Sequence, residues 1–309
     1  MNCRVCGREV TPYLDLGYTP LANSYLTEDQ LYEPEPTFPL VIGYCSGCGL
    51  SQLSGVVDPD LMFRNYLYVS STSQTLRDHF DDLAAAAVRA SAAGPNDLAL
   101  DIASNDGYLL SRFAERGLGV IGVDPATNLA KDATHRGVPT ICDYWSMDVA
   151  RGIGFGRAKI VTATNVLGHV DRVHAFVAAV ERVLNDDGVF IVEVPYLMDL
   201  LEHTEYDTIY HEHLSYWSVS PLAELLAAHG LVVFDVQYFE SIHGGTIRVW
   251  SSKSRHPLPG VSDWLKKEAS LKTPDPYLSF RGRSADHMER LRHQIEWARS
   301  SGSTIWAYG

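Results

Sequence analysis

Short apolar strands alternate with helical stretches between residues 98 and 194, and this alternation constrains the fold more than any other feature. Apolar runs of about five residues are typical of buried parallel strands, whereas amphipathic helices repeat their apolar residues every three or four positions. Successive strand–helix units predict an α/β fold with a doubly wound, Rossmann-like parallel sheet. The strands are predicted at residues 98–102, 119–123, 140–142, 159–163 and 189–194.

Polar side chains recur where these predicted strands end. Asp101 lies inside the first strand, and Asp124 follows the second. The carboxyl ends of parallel strands meet at one edge of a sheet, where open α/β sheets bind their ligands. Each acid alone is equally consistent with a solvated strand end or a helix cap, but their recurrence favours a cofactor site. The predicted cofactor-binding residues are Asp101, Ala103, Asn105, Asp106, Gly107, Asp124, Asp143 and Asn165.

Two nucleotide cofactors compete for this predicted site. A dinucleotide needs G-x-G-x-x-G after the first strand, because those glycines let the backbone approach a pyrophosphate. This chain retains only Gly107 of that pattern. S-adenosylmethionine has no pyrophosphate, and its sulfonium and ammonium groups tolerate acidic neighbours, so the sequence favours S-adenosylmethionine.

The densest group of chemically active side chains lies between Tyr210 and Tyr216, where His211, Glu212 and His213 stand side by side. Burying such groups without a partner is costly. Histidines two residues apart do not share a helix face, although in an extended segment they share a side, so a metal site stays open as an alternative. A solvated polar loop is another alternative. We favour a positioned general base, since imidazole titrates near neutral pH and a neighbouring carboxylate or phenol orients it.

Three other stretches are expected near the same crevice. His169 follows the fourth predicted strand and is equally consistent with a core histidine or a functional one. A hairpin bend at residues 243–246 lets the backbone approach a ligand. The hydroxyls of Tyr66 and Tyr68 are hydrogen-bond donors without formal charge.

Two C-x-x-C pairs, at residues 3–6 and 45–48, predict a structural zinc site. Each pair is followed by a glycine, Gly7 or Gly49, which permits the positive φ of a metal-binding turn. Four thiolates fill a tetrahedral shell, which leaves no open position for catalysis; buried free thiols or a redox pair are the alternatives. Cys142 is predicted to be a core residue of the third strand. The predicted metal ligands are Cys3, Cys6, Cys45 and Cys48.

Composition and charge narrow the class of protein. The 309 residues suggest about two domains. With 38 acidic and 25 basic residues, the net charge is −13, which disfavours binding to a nucleic-acid backbone. The chain has no apolar run of membrane-spanning length and no apolar leader near Met1, so we expect a cytoplasmic protein, acting as a monomer, with neither membrane nor nucleic acid as a partner.

The motifs together resemble the S-adenosylmethionine-dependent C-methyltransferases of antibiotic biosynthesis that act on C-3 of TDP-linked deoxysugars. The resemblance runs along essentially the whole chain, in the same order. It is carried by the four cysteines and by residues 20–23 (PLAN), 66–71 (YLYVSS), 104–107 (SNDG), 210–213 (YHEH) and 243–245 (HGG).

This resemblance implies three domains. They are a zinc-binding domain at 1–75, a methyltransferase domain at 76–250 and the start of a C-terminal Rossmann-like domain at 251–309. Residues 303–309 resemble the first strand of that last domain, which we expect to be incomplete because family chains continue further. The family usually has glycine where this chain has Ala103.

The resemblance also implies a reaction and its residues. A methyl group passes from S-adenosylmethionine to the carbon beside a 4-keto group, after a base has removed that carbon's proton. Arg77 and Arg248 are candidate cations for the diphosphate. Other readings stay open: another keto substrate, a zinc-containing binding protein with an inactive domain, or a nucleic-acid methyltransferase. The implied catalytic residues are His213 as the leading base with Glu212, Tyr210, His169, Tyr66 and Tyr68.

Overall fold

The computed structural model describes residues 1–64 and 66–306, which form eleven strands and ten α-helices. The strands are β1 Thr11–Thr19, β2 Phe38–Tyr44, β3 Ser51–Leu53, β4 Leu98–Ile102, β5 Gly119–Val123, β6 Thr140–Ile141, β7 Ala158–Thr164, β8 Leu184–Pro195, β9 Ser215–Tyr216, β10 Val232–Phe239 and β11 Thr246–Ser252. The helices are α1 Asp60–Phe63, α2 Gln74–Ser91, α3 Tyr108–Glu115, α4 Thr127–His135, α5 Met147–Ile153, α6 Val173–Val183, α7 Leu197–His203, α8 Val219–Ala227, α9 Pro259–Lys267 and α10 Asp275–Ser300.

Seven strands form the main sheet in the order β10-β11-β8-β7-β4-β5-β6. The pairs β4–β5, β5–β6, β4–β7 and β7–β8 are parallel, and the connections between successive strands are helical, as parallel pairing requires. β10 and β11 add an antiparallel hairpin beside β8. The doubly wound sheet and the hairpin bend predicted from the sequence are both confirmed.

The strand order reverses at β4. The chain winds from β4 to β5 and β6 on one side, then returns to β7 and β8 on the other. Such a reversal opens a crevice at the carboxyl ends of the two central strands. The ends of β4 and β7 therefore define where a ligand binds.

The central strands are apolar on both faces because helices cover both sides. Ile160 and Ile191 point to the face covered by α2 and α3, whereas Val161 and Val192 pack on the face covered by α6 and α8. All four side chains are fully buried. This double burial explains why the sequence shows continuous apolar runs here rather than an alternating pattern.

A second, antiparallel sheet has the order β1-β2-β3-β9. Its fourth strand comes from the distant polar segment, since Gln52 pairs with Ser215 and Ser51 with Tyr216. Immediately after β9, Trp217 bridges to Tyr196 at the end of β8. The polar segment 206–217 is thus held between the two sheets, an arrangement that local sequence pattern does not predict.

The C-terminal segment packs on the main domain through a buried carboxylate. Glu268 accepts hydrogen bonds from the backbone N–H groups of Val219 (2.8 Å) and Ser220 (2.7 Å) at the start of α8. A carboxylate at this position satisfies free N–H groups and complements the helix dipole.

Two local predictions meet a different outcome. Cys142 is exposed rather than part of the core, because β6 ends at Ile141 and lies at the edge of the sheet. Of the strand predicted at 303–309, residues 303–306 form no strand and 307–309 lie outside the described residues. Within the ranges described, no helix has the length and apolar character needed to cross a membrane.

Candidate functional site

A cavity of about 1360 Å³ opens at the carboxyl ends of β4, β5, β7 and β8. Its other walls come from the chain before α2, from the polar segment 206–217 and from the hairpin bend at His243. Gly107, Asp143 and Glu212 are outside its lining. The predicted residues that line the cavity are Asp101, Ala103, Asn105, Asp106, Asp124 and Asn165, together with Tyr66, Tyr68, His169, Tyr210 and His213.

Two buried carboxylates lie where β4 and β5 end at the cavity. Asp101, near the end of β4, accepts a hydrogen bond from the Thr162 hydroxyl at 2.6 Å, and burial raises its pKa to about 7. Asp124 accepts backbone N–H bonds from Asn105 and Ala126, both at 2.8 Å, which fix its orientation. Burial raises the pKa of Asp124 to about 6.

The turn after β4 is held in an unusual backbone conformation. Ala103 and Asn105 have φ values of 59° and 51°, in the left-handed region that non-glycine residues rarely adopt. The Ala103 N–H donates to the Val123 carbonyl at 2.7 Å, which ties the turn to β5. Strained residues of this kind cluster at functional sites, and here they bring the backbone to the cavity wall.

Three buried oxygen atoms in this region have no hydrogen-bond partner among the described residues. They are Ser104 Oγ, Asp106 Oδ1 and Asn165 Oδ1. Buried polar atoms are normally paired, so unpaired acceptors at a cavity wall indicate a ligand rich in donors. The ammonium, ribose hydroxyls and adenine amino group of S-adenosylmethionine are donors of this kind, so the residues fit the cofactor predicted from the sequence.

The two predicted cofactor residues outside the lining have other surroundings. Gly107 begins α3 with φ 76°, and an added Cβ would lie 3.1 Å from Val138. It therefore lets α3 start close to the chain that follows α4. Asp143 is exposed and accepts a hydrogen bond from the backbone N–H of Tyr144.

Two neutral imidazoles lie together in another part of the cavity wall. The rings of His169 and His213 are 5.1 Å apart between centroids. Nδ1 of His213 donates to the Thr208 carbonyl and Nδ1 of His169 to the Glu212 carbonyl, both at 2.8 Å. Because carbonyl oxygens accept, each neutral ring keeps Nε2 as its unprotonated nitrogen. Burial lowers the pKa of His169, and burial with the His169 neighbour lowers that of His213 to about 3.

Phenol groups surround the two imidazoles. Burial raises the pKa of Tyr66 and of Tyr68 above the ordinary value and that of Tyr210 to about 12. These hydroxyls therefore stay protonated at physiological pH and act as donors. The Tyr210 ring stacks near His213, with centroids 4.1 Å apart.

Glu212 does not line the cavity, although its neighbours Tyr210 and His213 do. Its carboxylate is buried and accepts a hydrogen bond from Asn23 Nδ2 at 2.7 Å. Burial raises the pKa of Glu212, while interactions with Asn23 and the Tyr66 hydroxyl oppose that rise. Burial of both His211 and Glu212 rules out the solvated-loop alternative. In the part of the chain that the structure describes, the polar segment forms no metal-ligand cluster.

The metal-ligand cluster of the described residues is formed by the four predicted cysteines. All four sulfur atoms lie within 4.8 Å of one another, with Cys3–Cys48 at 3.5 Å and Cys6–Cys45 at 3.4 Å. Tetrahedral zinc with sulfur at about 2.3 Å requires sulfurs about 3.8 Å apart, so the group fits a zinc ion.

The two cysteine turns have matching backbone bonds. The N–H groups of Gly7 and Gly49 donate to the carbonyls of Cys3 and Cys45, at 3.0 and 2.8 Å. Both glycines have positive φ, 72° and 85°, as the spacing predicts. None of the four cysteines lines the cavity, which agrees with a structural role.

Arg4, inside the first cysteine turn, connects this cluster to the cavity wall. Its guanidinium donates to the carbonyls of Leu53 (3.0 Å) and Leu214 (3.2 Å) and pairs with Asp171 at 3.0 Å. Leu214 follows His213 directly. The sequence reasoning missed this role and also that of Asn23, although the PLAN motif contains Asn23.

A buried ionic group at the end of β8 was also missed. Glu193 pairs with His79 at 2.9 Å and with Arg248. Burial alone would raise the pKa of Glu193, but bonds to these two side chains hold it below its ordinary value. Arg248 is only 2% exposed and is occupied by Glu193, so it is not available to bind a diphosphate. The sequence does contain a signal for this group, because Glu193 is an acidic residue that interrupts the apolar run 189–194.

Two solved structures resemble this chain at low sequence identity. The PH0226 protein from Pyrococcus horikoshii OT3 is 17% identical with a TM-score of 0.49, over 63% of this chain and 96% of its own. An S-adenosylmethionine-dependent methyltransferase from Archaeoglobus fulgidus is 13% identical with a TM-score of 0.48, over 57% and 93%. Family membership rests on sequence matches instead.

Three family models match successive parts of the chain. They are described as "Putative zinc binding domain" at residues 3–63, "Methyltransferase domain" at 76–236 and "C-methyltransferase C-terminal domain" at 241–309. C-methyltransferase NovU from Streptomyces niveus is 36% identical over 322 residues, covering 100% of this chain and 75% of the relative.

The fold and the acceptor-rich crevice define an S-adenosylmethionine-dependent methyltransferase with a structural zinc site. More particularly, the chain belongs to the family of C-methyltransferases that includes NovU. The resemblance seen in the sequence motifs is thereby confirmed.

Replacing Asp124 by asparagine is expected to weaken S-adenosylmethionine binding about tenfold or more, because a charged acceptor for the ribose hydroxyls is lost. The raised pKa of Asp124, about 6, means that the wild-type carboxyl gains a proton as pH falls through 6. Wild-type affinity should therefore fall below that pH, and this step should be missing from the variant, in which Asp101, with its pKa of about 7, still titrates. Calorimetric titration between pH 5 and 8 measures both. In Asp143→Asn, a side chain outside the cavity, a smaller loss is expected; equal losses would contradict the assignment.

Proposed function

We propose that the chain transfers the methyl group of S-adenosylmethionine to C-3 of a TDP-linked 4-keto-deoxysugar. One observation carries this proposal: neutral imidazoles and protonated phenols line the same cavity as the cofactor carboxylates. Methylation beside a ketone needs a neutral base for the acidified C–H and donors for the resulting enolate oxygen. Both kinds of group are present, and the sequence resemblance supplies the substrate class.

The proposed chemistry uses this chain's side chains as follows. His213 Nε2 takes the proton from C-3, and the electrons of that C–H bond move into the enolate. Tyrosine hydroxyls from Tyr66, Tyr68 or Tyr210 donate to the developing enolate oxygen, and His169 lies 5.1 Å from the base as a second polar wall. Bound S-adenosylmethionine supplies an electrophilic methyl group, so that a C–C bond forms as the C–S bond breaks.

The size and charge of the cavity agree with two large ligands. Single-ligand sites usually measure about 300–1,000 Å³, and this cavity exceeds that range. Arg172 is the one lysine or arginine among the described lining residues, and it is exposed. We therefore assign the substrate diphosphate to Arg172. Arg77, the other cation considered, is bonded to the Ser71 carbonyl and to Gln74.

Incubation with S-adenosylmethionine and a TDP-4-keto-deoxysugar tests the proposal. The expected product is heavier by one methylene, with the new methyl on C-3 by NMR. In deuterated water without the methyl donor, the C-3 proton should exchange. Binding of both ligands without exchange or methylation would favour an inactive binding protein, and turnover of a different ketone alone would replace the substrate class.

We also propose the division into residues 1–75, 76–250 and 251–309. The first two family matches, at 3–63 and 76–236, fall inside the first two parts. The third match begins at residue 241, in the bend between β10 and β11. The family match therefore divides the hairpin, whereas the proposed boundary after residue 250 keeps β10 and most of β11 in the second part.

A further inference from the structure

One hydrogen bond crosses from the N-terminal segment to the polar segment behind the cavity. Asn23 Nδ2 donates to Glu212 Oε1 at 2.7 Å, between residues 189 positions apart. Asn23 is exposed, whereas Glu212 is only 4% exposed. A surface amide thus donates to one oxygen of a buried carboxylate, and within the described residues the other oxygen, Oε2, has no hydrogen bond of normal geometry.

Glu212 is connected to the cavity through two neighbours. Its backbone carbonyl accepts the Nδ1–H of His169, which sets the tautomer of that ring. Its carboxylate interacts with the Tyr66 hydroxyl, and Tyr66 lines the cavity. The charged or titratable groups around it are Tyr66, Tyr210 and His169, while Asn23 is the neutral donor. The ionisation and orientation of Glu212 therefore decide how Tyr66 presents its hydroxyl.

The connection that carries Asn23 is fixed at both ends by adjacent residues of the polar segment. This connection, residues 20–37, joins β1 to β2. Asn23 contacts Glu212 near one end, and His211 Nε2 donates to the Phe38 carbonyl at 3.2 Å at the other. Most of the connection between these points is exposed, including Tyr25 and Tyr32. The contact of Asn23 is therefore a fixed anchor of an otherwise solvent-facing segment.

We propose that Asn23 is a positioning residue for methyl transfer, which acts by holding Glu212 ionised and oriented against Tyr66. This role rests on the proposed function for its effect on turnover, but the state of the carboxylate is measurable without substrate. Burial favours the protonated form of Glu212 and so raises its pKa, whereas the hydrogen bond from Asn23 lowers that pKa. Loss of its donor consequently raises the pKa of Glu212, and the ionised form is then lost at a higher pH.

The direct test is a carbon-13 NMR titration of protein labelled at glutamate Cδ, with the Glu212 signal identified by its loss in Glu212→Gln. In Asn23→Ala and Asn23→Asp we expect the titration midpoint of Glu212 to rise by about one pH unit, more in the Asp variant because it adds a like charge. Asn96→Asp, an exposed change in the turn before β4, is the matched control. A midpoint in both Asn23 variants equal to that of the control overturns the proposal.

Turnover separates this role from a general structural one. The acid limb of the pH–rate profile should move upward in the Asn23 variants, and Asn23→Ala should add little once Glu212→Gln is present. Losses that multiply in the double variant overturn the proposal. If wild-type protein fails to methylate the TDP-sugar, the proposed function falls, and the NMR midpoint still decides the role of Asn23.

Discussion

Replacing His213 by glutamine is expected to slow exchange of the substrate's α-proton, and with it methyl transfer, by about 10²–10⁴-fold. Glutamine keeps a polar side chain of similar reach but has no nitrogen that accepts a proton. The Nδ1–H bond to Thr208 fixes the wild-type ring with Nε2 unprotonated, so the substitution removes the proposed base. Binding of S-adenosylmethionine should be unchanged, because the carboxylates expected to hold the cofactor lie at the ends of β4 and β5, whereas His213 lies in the polar segment 206–217.

The pH dependence sharpens this expectation. Burial and the neighbouring His169 lower the pKa of His213 to about 3, so the ring is already neutral at every pH above about 4. Protonation of His213 therefore does not contribute an acid limb to the free enzyme between pH 5 and 8. A limb in that range belongs to other groups: Asp124 and Asp101 have pKa values raised to about 6 and about 7, and burial also raises the pKa of Glu212. A wild-type profile whose limb disappears in Glu212→Gln agrees with this division of roles.

Two further variants keep the assignment of the base testable. His256→Gln changes an exposed histidine outside the cavity lining and should behave as wild type in exchange, binding and turnover. His169→Gln tests the neighbouring ring, whose Nε2 is also unprotonated. Exchange that persists in His213→Gln and vanishes in His169→Gln would move the base to His169. Unchanged exchange in both would exclude the imidazoles.

The main sheet could be predicted from the sequence because its information is local. Each strand of the core is a short apolar run, and each polar residue at a strand end is visible at once. β9 was not predicted, because two residues pair across the chain with β3 and leave no periodic pattern. Contacts such as Asn23–Glu212 depend on long-range packing in the same way.

The chemistry of single side chains was predicted less well than their positions. The sequence indicated imidazoles that titrate near neutral pH, whereas burial makes His213 a much weaker base. Arg248 was a candidate for binding the diphosphate, yet its guanidinium forms a buried ion pair with Glu193 inside the sheet. Burial decides the pKa of His213, and ion pairing decides whether Arg248 can bind a ligand. Neither burial nor pairing can be known from the residue type alone.

Replacing Cys48 by serine is expected to remove zinc and, through Arg4, to disable the distant cavity. Wild-type protein should carry one zinc ion per chain by mass spectrometry of the metal, matching its four-sulfur cluster. Structural zinc contributes on the order of 10 kcal/mol to folding in small domains. Here the cysteine turns, with Val5 and Leu50, pack into the same buried cluster as one face of the main sheet. The cysteine turns should therefore open in the variant, while the main sheet, whose other face packs on a separate cluster with α2 and α3, stays folded.

The effect on activity follows from the position of Arg4 between two zinc ligands. Its guanidinium holds the carbonyls of Leu53 and Leu214, so an ordered first turn fixes the residue next to His213. Loss of zinc should reduce methyl transfer strongly while S-adenosylmethionine still binds. Cys142→Ser, an exposed cysteine outside the cluster, is the control and should keep zinc, melting temperature and activity. Zinc retained in Cys48→Ser would refute the four-sulfur site. Full activity without zinc would refute the link through Arg4, because the cavity wall would then be ordered by the β3–β9 pairing alone.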